Sequence, residues 1–323
     1  MTILPEADHR ETDDTAVVAP GIASPLVGIE APEVDEEEQV QKKKKLGLGT
    51  WLAGGWLGLL TFAAVFADFL PLKDPNAQST NTPLLSPFQG SLVLGADPSG
   101  RDMLSRLVYG SRNSLIIGVC AVLAAFLIGG LFGLFAGYYR NWIGKVLASF
   151  FDILLAIPAL VLVLALVAVL KGDPQSSNAL PGQLILIIAI GVVSVPLIAR
   201  ITRAQTLAWS QREFVTAAKA QGAGSGRILF REILPNVLPA MAYIALLGVG
   251  IAIVAEGAAA LFGASVDPPT ATLGTMINDG RGVMETASFV LFEPIVVIFL
   301  TVMALNFLGD VIRDRFDVRE SAL

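Results

Sequence analysis

The stretch that decides the fold is residues 213–239, EFVTAAKAQGAGSGRILFREILPNVLP, a polar, glycine-punctuated insert between two apolar segments that reach toward bilayer length. An insert of this kind is the part of a membrane chain that meets something outside the lipid. Strong helix formers fill residues 213–221, and Gly222 is placed to end that helix in the left-handed conformation that other residues avoid. Ala217 and Ala218 take bulk off one face, so a partner surface can come close to the backbone. Lys219 and Arg227 can pair with acids on that partner. Pro235 is expected to open the next span, where its missing N–H costs least.

Working outward, the 323 residues are 54% hydrophobic and 15% charged, with a mean hydropathy of +0.67, too apolar for a soluble domain of this size. Six runs approach the length of about 20 apolar residues that a crossing helix requires. They are residues 46–70, 115–138, 146–170, 184–198, 237–261 and 288–308, so the expected fold is an all-α membrane protein of six transmembrane helices. Gly129, Gly130, Gly133 and Gly137 give the second span a small face for close packing, against either a helix of this chain or a partner. Pro158 and Pro196 are expected to kink the third and fourth spans.

The net charge of −6 misleads, because residues 1–41 hold eleven of the 28 acids and one of the 22 bases. From residue 46 onward the charge balances, which leaves no basic footprint for nucleic acid. Residues 1–45 read as a disordered acidic tail ending in the cluster Lys42 to Lys45, with no signal peptide at its start. Lysines beside a first span put that flank in the cytoplasm, and six crossings return the C-terminus there. The expected division is therefore a tail over 1–45, a membrane domain over 46–319 and a short tail over 320–323. The membrane domain carries an external loop at 71–114 and a cytoplasmic loop at 199–235. That external loop carries Lys73, Arg101, Arg106 and Arg112, which runs against the positive-inside bias.

Within the loop, residues 94–115 read LGADPSGRDMLSRLVYGSRNSL. Gly95 and Gly100 permit tight turns, Asp97 and Asp102 can accept from Arg101 or Arg106, and Asp102 can cap a helix running through Ser114. The roles open for Asp97, Gly100, Arg101, Asp102 and Arg106 are an internally bridged lid, or a surface that meets a partner or lines the external mouth of a pathway. Among acids within the spans, Asp152 is expected to pair with Arg200 or Arg203. Glu256 and Glu293 fall toward the outer ends of the last two spans, where water can reach them and where they are candidates to receive a cationic group in the pathway.

The insert, the residue 94–115 stretch, DILLAIP at 152–158, AEGAAALFGASVDPPTATLGTM at 255–276 and LNFLGDVIRDR at 305–315 resemble one family. It is the C-type transmembrane permease subunit of ABC importers for dipeptides and oligopeptides, and the resemblance runs over about residues 46–319. It implies a type I ABC-importer permease fold, a bacterial plasma-membrane location, and an insert that couples to cytoplasmic ABC ATPases. The coupling residues it implies are Glu213, Thr216, Ala217, Ala218, Lys219, Gly222, Ile233, Leu234 and Pro235. Thr216 stands where the family often has glutamate, so a salt bridge made there is absent or comes from Glu213; Ala96 replaces a threonine in the lid. Further implied partners are a homologous second permease, an extracytoplasmic peptide-binding protein and membrane lipid.

The chain carries no Gly-x4-Gly-Lys-Ser/Thr phosphate loop, so nucleotide hydrolysis is expected in partner subunits, with ATP and Mg bound there and no cofactor here. A single histidine, His9, and a single cysteine, Cys120, support neither a catalytic triad nor a Cys/His metal site. No enzyme activity is expected. Nickel or another small solute is the alternative cargo, and an ion-gradient transporter is disfavoured because the spans hold no convincing proton or sodium relay.

Overall fold

A chain that must satisfy its backbone polar groups inside lipid has two solutions, helices or a closed barrel. This one uses helices throughout: among the described residues the only extended pairing is two isolated bridges, Gln78 with Arg101 and Ala96 with Asp102. The structure, a computed structural model, describes residues 47–139, 141–172 and 180–320, without the side chains of Ile143 and residues 315–320. The acidic tail expected over 1–45, with its lysine cluster, lies outside the described residues, as do Arg140 and residues 321–323.

The elements are α1 (Leu48–Val65) with a 3-10 turn at Ala67–Phe69, α2 (Met103–Tyr138), α3 (Trp142–Ala156), α4 (Ala159–Lys171) and α5 (Gly182–Trp209). Then come α6 (Glu213–Ala220), α7 (Ser225–Arg227), α8 (Leu234–Leu261), α9 (Leu273–Arg281) and α10 (Phe289–Glu320). A π-helical turn at Ile228–Ile233 joins α7 to α8, so that Ser225–Leu261 runs as one helix of 37 residues. Among the described residues five helices are long and apolar enough to cross a membrane: α1, α2, α5, Ser225–Leu261 and the Phe289–Asp314 part of α10.

The sixth membrane segment, expected over residues 146–170 with a kink at Pro158, is the pair α3 and α4, bent by 91° at that proline and together long and apolar enough for one broken span. Pro158 has no N–H to continue the ladder and its ring drives Ile157 out of the helical region, to ψ 128. At about 1.5 Å per residue neither half is long enough to cross the roughly 30 Å of hydrocarbon by itself. Pro196, by contrast, is buried inside an unbroken α5.

α2 also differs from its expected bounds, starting at Met103 rather than at residue 115. Asp102 caps it by accepting from Ser105 N at 2.9 Å, so the polar turns holding Arg106, Tyr109 and Arg112 become helical and the loop before α2 ends at residue 102. At its far end α2 lies along α5, and the glycine series faces that neighbour within the chain. A Cβ on Gly129 would sit 2.6 Å from the Val195 carbonyl oxygen, and one on Gly137 2.6 Å from Thr206 Cβ, while one on Gly133 would collide with the Ala199 carbonyl. Gly130 is filled by Met241 of α8.

Three buried clusters stack along the bundle. The middle one joins α2, α4, α5 and α8 through Ile117, Val163, Ile185, Ala189 and Ala252. One end is closed by Leu134, Val215, Ile228, Leu229 and Ile233 around the insert. The other end is closed by Met103, Leu107, Leu273, Met276 and Val290, with Leu84 and Leu94 of the lid packed on them. Insert and lid therefore occupy opposite ends of the helix Ser225–Leu261.

Candidate functional site

α6 is a short helix with one buried side chain, Val215, and an open outer surface. Glu213 occupies its first turn, where the helix dipole favours an anion. Gly222, at φ +79°, ends the helix with both bonds of a Schellman motif: Ala223 N donates to Ala218 O and Gly222 N to Lys219 O, each at 3.0 Å. Glu213, Thr216, Ala217, Lys219 and Gly222 are exposed, while Ala218 is partly buried against the cluster below. Lys219 rests over the Tyr138 ring, its Nζ 5.6 Å from the centroid, and Arg212 lies 5.3 Å from that of Trp209.

Ile233 is fully buried, and Leu234 and Pro235 follow as the first residues of α8. Pro235 stands at the second position of α8, as expected, although the π-turn before it makes Ser225–Leu261 one continuous helix. The π-turn just upstream widens the backbone where the Pro235 ring would crowd the carbonyl of Arg231 and leave it without a partner.

At the lid end, Asp97 is the centre of a buried ion cluster. Its carboxylate accepts from Arg101 Nε at 2.6 Å and lies 3.3 Å from Arg106 Nε, while its other oxygen accepts from the backbone of Ser99 and Arg101. Arg106 also donates to the carbonyls of Pro75 and Pro269, so one guanidinium ties the lid to the segment after α8. Gly100, at φ +73°, makes the turn between the two acids; a side chain there would strike the Thr80 carbonyl. Asp97, Gly100, Asp102 and Arg106 are buried and Arg101 nearly so; these residues bond inward.

Sequence reasoning missed the fourth member, Asp279 of α9, which stands 3.7 Å from Arg106 and 3.9 Å from Arg101. Burial pushes its carboxyl above the usual carboxylate range, against the pull of Arg106 and Arg101. Desolvation wins because those distances are too long for closed hydrogen bonds. A cavity of about 550 Å³ opens beside the cluster, lined by Arg101, Arg106, Asp279 and the exposed pair Lys171 and Asp267, themselves 2.6 Å apart.

The two glutamates differ from each other, and Glu256 differs from expectation. Glu256 is fully buried, out of reach of water. Its Oε1 accepts from Thr272 Oγ1 at 2.6 Å and from Ser265 Oγ at 3.5 Å, and its Oε2 from Ser114 Oγ at 3.1 Å. Thr272 in turn caps α9 by accepting from Thr275 N, and Ser114 accepts from Leu273 N, so Glu256 fixes α9 to α2 and α8. The Thr272-x-x-Thr275 spacing was the legible signal for that cap. Glu293 is half-buried in α10, and its Oε2 has no hydrogen-bond partner. Asp152 is exposed on α3, and no ion pair joins it to Arg200 or Arg203 among the described residues.

Comparison with known proteins fits this arrangement. The chain is 38% identical over 264 residues to the di/tripeptide transport system permease protein DppC of Pseudomonas aeruginosa, covering 80% of this chain and 84% of that one. It is 35% identical over 265 residues to the glutathione transport system permease protein GsiD of Pectobacterium atrosepticum, covering 82% and 85%. Its fold is similar to a chain of the MetNI methionine ABC transporter in an inward-facing conformation, with a TM-score of 0.56 at 20% identity over 66% of this chain and 97% of that one. A sequence profile of one family matches residues 129–321, and the chain belongs to it: the binding-protein-dependent transport system inner membrane components.

Proposed function

We propose that this chain is one of two permease subunits that together enclose the pathway of an ATP-driven importer of dipeptides and oligopeptides. Relatives named for di/tripeptide and glutathione transport, at 35–38% identity over four-fifths of the chain, support the cargo class. The observation that carries the mechanism is the construction of the insert. α6 turns Glu213, Thr216, Ala217 and Lys219 outward while Val215 roots it in the same cluster as Ile228, Leu229 and Ile233 at the start of span five.

In this reading the cytoplasmic ATPases grip α6, and Gly222 with its two carbonyl bonds keeps the helix from fraying when pushed. Closure of the ATPases on ATP displaces α6, and the displacement passes through the packing of Val215 on Ile228, Leu229 and Ile233 into the helix Ser225–Leu261, rocking the bundle so that the pathway opens alternately to each side. Both termini then face the cytoplasm, and the lid faces the extracytoplasmic side. The Asp97, Arg101 and Arg106 cluster serves as an internal clasp that gives the lid a fixed shape there.

The test is Ala217→Asp, in the complex of this chain with its second permease and ATPases. Ala217 is exposed, so the substitution adds bulk and charge to the gripped face without disturbing the buried cluster beneath Ala218. Normal membrane insertion with loss of ATP-dependent peptide uptake is the expected result. Unimpaired uptake at normal expression would refute the coupling role of α6.

A further inference from the structure

The tip of the lid is built for display. Its two sides are zipped by Leu84 N to Asp97 O at 3.2 Å, Ala96 N to Leu85 O at 2.9 Å and Phe88 N to Val93 O at 3.1 Å. Leu84 and Leu94 pack into the cluster around Met103 and Leu273, and Leu92 is buried. Above this rooted stem the Phe88 side chain is 83% exposed and Val93 51% exposed. Phe88 and Leu84 hold φ of 61° and 58°, a left-handed backbone that residues with a side chain adopt only where their surroundings impose it. Packing within the chain gives no reason to hold an aromatic ring in water in this way.

We infer that Phe88, flanked by Val93, is the anchor on which the extracytoplasmic binding protein docks, its ring entering an apolar pocket of that protein; this rests on the importer reading above. The surroundings of the ring favour a protein over lipid. Ser86, Gln89 and Ser91 are exposed around it, and Lys73 donates to Ser91 Oγ at 2.8 Å. A single aromatic with a polar collar is the anatomy of a protein interface, whereas the end of α1 and the turn after it expose four apolar side chains together, Phe62, Val65, Phe66 and Phe69. A ring held on a rigid loop also loses little freedom on docking.

A second observation comes from the comparisons. The family profile matches residues 129–321, so the lid lies outside the matched region. The match to the Pseudomonas peptide permease, at 264 residues, is longer than that domain and extends beyond it. The insert lies inside the matched part and the lid outside it with α1 and the start of α2, which places the lid among the segments free to differ with the partner that delivers cargo.

The experiment uses the full permease and ATPase complex in lipid nanodiscs, with ATP hydrolysis followed as peptide-loaded binding protein is added. Phe88→Ser should raise the half-saturating concentration of binding protein about 30-fold, the scale of an anchor lost from an interface, with basal hydrolysis unchanged. Phe88→Trp should keep wild-type affinity and shift its emission to the blue when binding protein is added. Unchanged half-saturation in Phe88→Ser overturns the inference, as does quenching by brominated lipid in Phe88→Trp beyond that of the wild-type complex, with its native Trp51 and Trp142, before binding protein is present, which assigns the ring to the membrane. Absence of stimulation in the wild-type complex would sink the importer reading itself, and the docking site with it.

Discussion

Thr272 performs two tasks with one hydroxyl: it donates to the buried Glu256 carboxyl and accepts from Thr275 N to start α9. Replacing it by valine preserves shape and removes both. A lost cap costs about 1 kcal/mol, and a buried acceptor left short of a donor about 1–3 kcal/mol more. Thr272→Val should therefore lower the thermal midpoint of the purified complex and speed tryptic cleavage after the exposed Arg281 at the end of α9, while Thr272→Ser restores both. Equal behaviour of the two variants would remove the hydroxyl from the account. The role of Glu256 was not legible in the chain, because Ser114, its partner on α2, lies 142 residues away and hydropathy alone puts an acid near a span end in water. Gly222 was legible, because a left-handed helix terminus is a local demand that only glycine meets without strain.

At the level of elements, the decisive contact is the seam between α2 and α5. Without a hydrophobic drive between helices in lipid, close backbone approach supplies the association, and the glycines permit it. Gly133 is the tightest place, its missing Cβ aimed at the Ala199 carbonyl and the Thr202 side chain. Gly133→Ala forces backbone apart and should cost about 1–3 kcal/mol, read as a lowered unfolding midpoint in detergent. Gly58→Ala on α1 is the control: nothing lies within 4 Å of the new methyl, and the better helix former should leave stability level or slightly raised. The spacing revealed that a small face existed; only the packed structure identified α5 as its occupant. The break at Pro158 shows the opposite limit. A proline in an apolar run announces a disturbance, but whether the chain bends or turns through 91° depends on what receives the second half, here Val163 and Val167 against α5 and α8.

For the whole molecule, the consequence lies in the continuity of Ser225–Leu261. Its 37 residues, at about 1.5 Å each, make a rod on the order of 55 Å that begins in the insert cluster and ends at Glu256 and the lid-end polar network. A push on α6 is useful only if that rod does not flex midway. Ala242 and Ala245 lie near its middle, the first exposed and the second packed on the central cluster, so glycine at both removes two methyl groups and loosens the backbone by roughly 1 kcal/mol each. The double variant Ala242→Gly with Ala245→Gly should still assemble with the ATPases, because α6 and its cluster are untouched. Transport should suffer instead: reconstituted vesicles are expected to hydrolyse ATP at the basal rate yet take up little peptide, with hydrolysis no longer rising when loaded binding protein is added. A variant that couples normally would mean that force reaches the lid end by another route, through α5 and its seam with α2, and the rod would be a scaffold only.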